Sequence, residues 1–110
     1  MMDKNSSIYV AGHAGLAGSA LVRRLHNLGC HKLITKSHLD LDLRSQFDVN
    51  EFFHQEKPEY VILAAAKVGG IWANNTYPAE FIYDNLAIEI NIIHASWMTG
   101  VKRLIFLGSS

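Results

Sequence analysis

Three glycines spaced three apart, Gly12, Gly15 and Gly18, lie between a short apolar run and a helical pattern. The run is Ile8-Tyr9-Val10-Ala11, so the stretch reads as a strand feeding a helix through a tight turn. Gly12 allows the turn where the strand ends, Gly15 lets backbone approach a ligand, and Gly18 lets the helix lie close on the sheet. The first N–H groups of a helix have no partners inside it and carry partial positive charge. The turn therefore predicts a pyrophosphate held by backbone, with His13, Ala14, Leu16 and Ala17 filling the remaining positions. The competing reading is a glycine-rich turn with no ligand, since the spacing differs from the dinucleotide pattern that has one residue between its first two glycines.

The rest of the chain alternates in the same way. The first strand covers about 7–11 and the first helix 16–28, with Ala17, Leu21, Leu25 and Leu28 as its buried stripe and Gly29 as its stop. His31 to Thr35 reads as a short second strand. Leu39-Asp40-Leu41-Asp42-Leu43 alternates, and fits a loop anchored by its leucines better than a strand. A second helix spans 45–56 with Phe52 and Phe53 toward the core, and Pro58 marks its exit. Tyr60 to Ala66 is a third strand, apolar enough to be covered on both faces. After the long 67–78 connection a third helix runs from Ala79 to Met98. On it Ile82, Leu86, Ile90, Ile93 and Trp97 form one stripe, with Ile88 and Ile92 off it, which predicts a second packing partner besides the sheet. Gly100 ends it, and Arg103 to Leu107 is a fourth strand.

This order predicts an α/β Rossmann-type fold of three layers, α/β/α, with a parallel sheet and right-handed crossovers. The expected strand order is 3-2-1-4, with the ligand crevice between the ends of strands one and four. Residues 1–110 make one domain or part of one. The fourth strand should present an edge where a further strand belongs.

Composition narrows the function. Ten basic and ten acidic residues cancel without a run of either sign, which argues against a nucleic-acid partner. The longest apolar run, Val61 to Ala66, is too short to span a bilayer, and the start leaves no room for a signal peptide. Cys30 is the single cysteine, so a reducing cytoplasm is the expected setting. His26, His31, His54 and His94 show no metal-ligand spacing, and no metal is expected.

The end of the second strand bears on the choice between NAD and NADP. Lys36 and His38 favour a 2′-phosphate and hence NADP, while Asp40, 22 residues past Gly18, could serve as the acidic partner of a ribose hydroxyl. Ser109, just beyond the fourth strand, has no nearby histidine or acid, so it suits hydrogen bonding to a reacting oxygen rather than nucleophilic attack. Asn74, Asn75 and Asn85 could contact a substrate or serve as structural asparagines.

At these residues the chain resembles the extended short-chain dehydrogenase/reductases, whose glycine turn has the Gly12, Gly15, Gly18 spacing. Val10-Ala11-Gly12-His13, Leu63 to Ile71, Ala73 to Ala79 and Phe106 to Ser110 are similar to the GDP-L-fucose synthases of that family. The resemblance implies NADP and the substrate GDP-4-keto-6-deoxy-D-mannose, epimerised at C3 and C5 and reduced at C4. It places Gly12 to Gly18 on the pyrophosphate and His38 to Leu43 at the adenosine end, with Asp42 near the adenine. Ala64, Ala65 and Ala66, and Leu107 and Gly108, would line the cofactor. Ser109 matches the catalytic serine, while Val68, Gly69 and Gly70 match the loop beside the reaction centre, and Asn85 falls on the substrate side. Ala14 stands where many relatives carry a basic residue. The residues four after Tyr9, Tyr60, Tyr77 and Tyr83 are His13, Ala64, Phe81 and Ala87, so the chain lacks the family's Tyr-x-x-x-Lys pair. The resemblance thus implies an N-terminal part, inactive alone, with a homodimer formed through helix 79–98. The competing readings are an NAD-using sugar-nucleotide epimerase or dehydratase, and a non-catalytic nucleotide-binding module.

Overall fold

The computed structural model describes residues 4–13, 15–37, 39–64 and 79–107. Four strands and three helices alternate: β1 (Ile8–Ala11), α1 (Leu16–Asn27), β2 (Leu33–Ile34), α2 (Gln46–Glu56), β3 (Tyr60–Leu63), α3 (Ala79–Met98) and β4 (Arg103–Phe106). All pairings are parallel, and the sheet order is β2-β1-β3-β4.

This order corrects the expected 3-2-1-4. β1 pairs with β3 along its whole length, from Ile8↔Tyr60 to Ala11↔Leu63, so β3 lies inside the sheet and not at its far edge. The physical reason is apolar coverage. Tyr60–Leu63 is buried at every position, which an interior strand requires. Leu33–Ile34 is two residues long and half-buried, and suits an edge. The chain steps from β1 outward to β2, then crosses back over β1 to β3. The reversal of direction therefore lies between β1 and β3, and the crevice expected between β1 and β4 moves with it.

Opposite crossovers put α1 on one face and α2 and α3 on the other. Alternation along the strands supplies both cores. Ile8, Val10, Tyr60 and Ile62 pack with Leu25 of α1 and Cys30. Tyr9, Ala11, Val61 and Leu63 pack with Val49, Phe52 and Phe53 of α2 and Ile92 and Ala95 of α3. The Tyr9 ring lies 4.6 Å from Phe52 and 5.9 Å from Phe53, centre to centre. Burial pushes its hydroxyl well above the ordinary tyrosine range.

Local chemistry sets the helix ends. Ser45 caps α2 by accepting the Asp48 N–H at 3.3 Å, and Lys57 closes it in a left-handed conformation just before Pro58. On α1 the inward face is Gly18, Leu21, Val22 and Leu25, whereas Ala17 and Leu28 are exposed. The stripe expected from spacing is thus turned, because the glycine brings the helix closest at its own position. On α3 the sheet takes Ile88, Ile92 and Ala95. The longer stripe of Leu86, Ile90, Ile93 and Trp97 faces outward, Trp97 with 78% of its surface exposed. Leu41 is buried and Leu43 packs against the core, so the 39–43 segment is a leucine-anchored loop, although Leu39 is exposed. β4 lies at the sheet edge with Arg103 and Phe106 exposed. No helix among the described residues is long and apolar enough to cross a membrane.

Candidate functional site at the glycine turn

β1 ends at Ala11 and the chain reverses through Gly12, whose φ of 88° lies in the left-handed region. The Gly15 N–H donates to the Gly12 carbonyl at 3.1 Å, closing the turn. Gly15 is the N-cap residue of α1, with φ −73° and ψ 170°. No side chain among the described residues caps this end, and the first turn carries no acidic residue. Among the described residues nothing takes up the opening N–H groups of α1, which can face a ligand or water with the positive end of the helix dipole behind them.

The three glycines have different reasons to be there. A Cβ on Gly18 would sit 2.0 Å from the Gly12 carbonyl oxygen and 2.8 Å from its carbon. Those are backbone atoms, so any side chain at position 18 must push the helix off the turn. Gly12 needs its positive φ. Gly15 needs neither, since its φ is ordinary and among the described residues a Cβ there would meet nothing nearer than the Gly12 oxygen at 3.5 Å. Nothing among the described residues demands glycine at position 15. A ligand lying against the backbone would.

His13 is half-buried in the turn, while Leu16, 85% exposed, and Ala17 open the helix on its outer side. Ala64 is brought to this place by the sheet order. Its N–H donates to the Ala11 carbonyl at 2.8 Å, so the exits of β1 and β3 lie side by side. Leu107, whose N–H donates to the Leu63 carbonyl at 3.1 Å, packs into the α1-side core one strand further away. Asn85 is buried on α3. Ala14, His38, Ala65, Ala66, Val68, Gly69, Gly70, Gly108 and Ser109 lie outside the described residues.

The loop after β2 holds the other candidates. Lys36 lines an open cavity of about 240 Å³ together with Asp40, Leu41, Asp48, Glu51, Phe52 and Gln55. Three carboxylate residues share that cavity with one lysine, which lowers the positive potential a phosphate would meet there. Asp40 is held in a turn, accepting the Ser37 hydroxyl at 3.2 Å and donating its N–H to the Ser37 carbonyl at 3.0 Å. Asp42 Oδ1 accepts from the Arg44 backbone N–H at 3.0 Å and from Nε at 3.1 Å, while Oδ2 accepts from Nη2 at 3.3 Å. That hydrogen bonding to Asp42, with the charges of Asp42 and Asp84, raises the Arg44 guanidinium above its ordinary value. Three residues that no motif marks also belong here: Arg44, Asp84 and Asn91. The only sequence signal among them is a polar Asn91 inside the otherwise apolar Ile90-Asn91-Ile92-Ile93. Among the described residues no three His, Cys, Asp or Glu side chains gather as metal ligands.

Residues 8–110 match the family described as NAD dependent epimerase/dehydratase. The chain belongs to that family. Among other epimerase/dehydratase relatives, GDP-L-fucose synthase 1 of Arabidopsis thaliana is 62% identical over 110 residues, covering all of this chain and 34% of that protein. GDP-L-fucose synthase of Escherichia coli K12 is 50% identical over 103 residues, 94% of this chain and 32% of that one. The chain thus spans about a third of the length of these curated relatives. A GDP-mannoheptose C4 reductase from Campylobacter jejuni, solved with NADP bound, superposes with a TM-score of 0.88 at 48% identity, covering 98% of this chain and 34% of that one. A GDP-L-fucose synthetase from Naegleria fowleri bound to NADP gives 0.79 at 30% identity, covering 96% and 32%.

Proposed function

We propose that this chain is the N-terminal, cofactor-binding part of a GDP-L-fucose synthase that uses NADP. The observation that carries the reading is the pairing of Gly15, which nothing among the described residues requires to be glycine, with Gly18, which has no room for a Cβ, at a helix start without a side-chain cap from its N-cap residue. That cradle fits a dinucleotide pyrophosphate. The NADP-bound relatives at 48% and 30% identity, and the synthases at 62% and 50%, support the assignment of cofactor and substrate class.

In this reading the backbone from Gly12 to Gly18, with His13, Ala14, Leu16 and Ala17, holds the pyrophosphate. Lys36, His38, Asp42 and Leu43 hold the adenosine end. Ala64 to Ala66, with Leu107 and Gly108, line the path to the nicotinamide. NADPH, when bound, supplies hydride to C4 of the sugar. Ser109 hydrogen-bonds the C4 oxygen of GDP-4-keto-6-deoxy-D-mannose, and Val68, Gly69, Gly70 and Asn85 border the substrate. The chain contains no tyrosine with a lysine four residues later, so the 110 residues alone bind cofactor without forming GDP-L-fucose. The outward stripe of α3 forms a homodimer interface, and the cytoplasm suits a buried, unpaired Cys30.

A second reading has a specific observation in its favour. The carboxylates that share a cavity with Lys36, Asp40 among them, and the absence of a basic residue at position 14 suit NAD and an NAD-using member of the same family. Calorimetric titration of the chain with NADPH and NADH decides between them. Tighter NADPH binding supports the proposal, equal or tighter NADH binding supports the second reading, and no binding of either removes both.

A further inference from the structure

Resting on the cofactor reading above, we infer that α3 positions the adenine end of the cofactor through Asp84 and Asn91, which grip Arg44 and Leu43 and thereby fix where Asp42 and Leu43 stand. Asp84 and Asn91 are seven residues apart, two helical turns, and so project from the same side of α3. Asn91 is 8% exposed and donates from Nδ2 to the Leu43 carbonyl at 3.0 Å. Asp84 Oδ2 lies 3.5 Å from Arg44 Nη1. Arg44 reaches back with Nε and Nη2 to both oxygens of Asp42. The chain of contacts runs from helix to guanidinium to carboxylate, and from helix to carbonyl, over three consecutive loop residues.

Leu41 and Leu43 already bury themselves in or against the core and keep the loop from leaving. Apolar burial is non-directional, however, and leaves the backbone between the two leucines free to roll. Hydrogen bonds have a direction. The Asn91 bond fixes the Leu43 carbonyl. Three hydrogen bonds from Arg44 fix the plane of the Asp42 carboxylate, and with it the direction in which that group faces a purine. Asp84 and Asn91 act through other residues and touch no ligand. They are positioning residues.

The test compares two probes on the whole chain: adenosine 2′,5′-bisphosphate, which needs the loop, and inorganic pyrophosphate, which needs only the glycine turn. In Asn91→Leu the bisphosphate should bind about fivefold more weakly, the worth of one hydrogen bond. In Asp84→Asn, on the surface, it should weaken about twofold, and Asp84→Glu should retain the original affinity. Pyrophosphate affinity should be unchanged throughout. Equal weakening of both probes would mean general loosening and would overturn the inference, as would unchanged bisphosphate binding. If Asn91→Leu does not fold, the Asp84 pair decides alone. A wild-type chain that binds neither probe overturns the cofactor reading itself, and the inference with it, an outcome distinct from any pattern among the variants.

Discussion

Replacing Gly18 by alanine should separate this protein's fold from its site more sharply than any other single change, when set beside the same replacement at Gly15. At position 18 the added methyl carbon would stand 2.0 Å from the Gly12 oxygen, more than an ångström inside contact distance, against backbone that cannot rotate away. Either α1 slides along the sheet or the turn opens. Overpacking of this kind costs about 1–3 kcal/mol and more where backbone must move, which offsets the gain alanine brings to a helix interior of about 1 kcal/mol. A net loss of about 2 kcal/mol in a domain of this size lowers the midpoint of thermal unfolding by roughly 8–16 °C. At position 15 the methyl has room at 3.5 Å and an ordinary φ, and exchanging the capping glycine for alanine costs about 1 kcal/mol or less. Gly15→Ala should therefore unfold close to the wild-type temperature yet lose NADPH binding, because its methyl would occupy the space proposed for the ligand. Circular dichroism melting with NADPH titration reads both quantities. A Gly18→Ala chain as stable as the wild type would rule out the clash at position 18, and a Gly15→Ala chain that binds NADPH normally would rule out a ligand against Gly15.

Phe53, fully buried against Tyr9 and Phe52, should cost about 3–5 kcal/mol on truncation to alanine, seen as a lower urea midpoint. Tyr9 keeps its proton in the folded chain beyond the pH at which an unfolded tyrosine loses it, about 10. The unfolded state then binds fewer protons, so stability should fall as pH rises above about 10, and Tyr9→Phe should flatten that decline in alkaline urea titrations. Charges placed on the outward stripe of α3, as in Ile90→Glu with Trp97→Glu, should shift size-exclusion elution toward a monomer with little change in melting temperature. An unchanged elution volume would remove that stripe as the dimer surface.

Much of the fold was legible because it follows from local pattern. The strand, turn and helix around Gly12, the Phe52–Phe53 core face of α2, and the 39–43 loop all follow from residues close in sequence. Strand order did not, since a short polar-flanked Leu33–Ile34 and a wholly apolar Tyr60–Leu63 announce edge and interior only when both are weighed as neighbours of β1. The direction of α3 failed for a related reason. Its outward stripe is more apolar than spacing alone can assign to solvent, while the face that meets the sheet mixes Ile88 and Ile92 with Asn85 and Ser96. The Asn91 bond to Leu43 spans 48 residues, and no local period encodes it.

In the proposed function, backbone opening α1 receives the diphosphate of NADP. Amide nitrogen–proton NMR spectra of the chain titrated with NADP report that contact residue by residue. The largest shifts should fall on Gly12, His13 and Gly15 to Gly18, with smaller ones at Asp42 to Arg44 and at Ala64. Shifts concentrated elsewhere, with the amides of Gly15 to Gly18 unmoved at saturation, would contradict it.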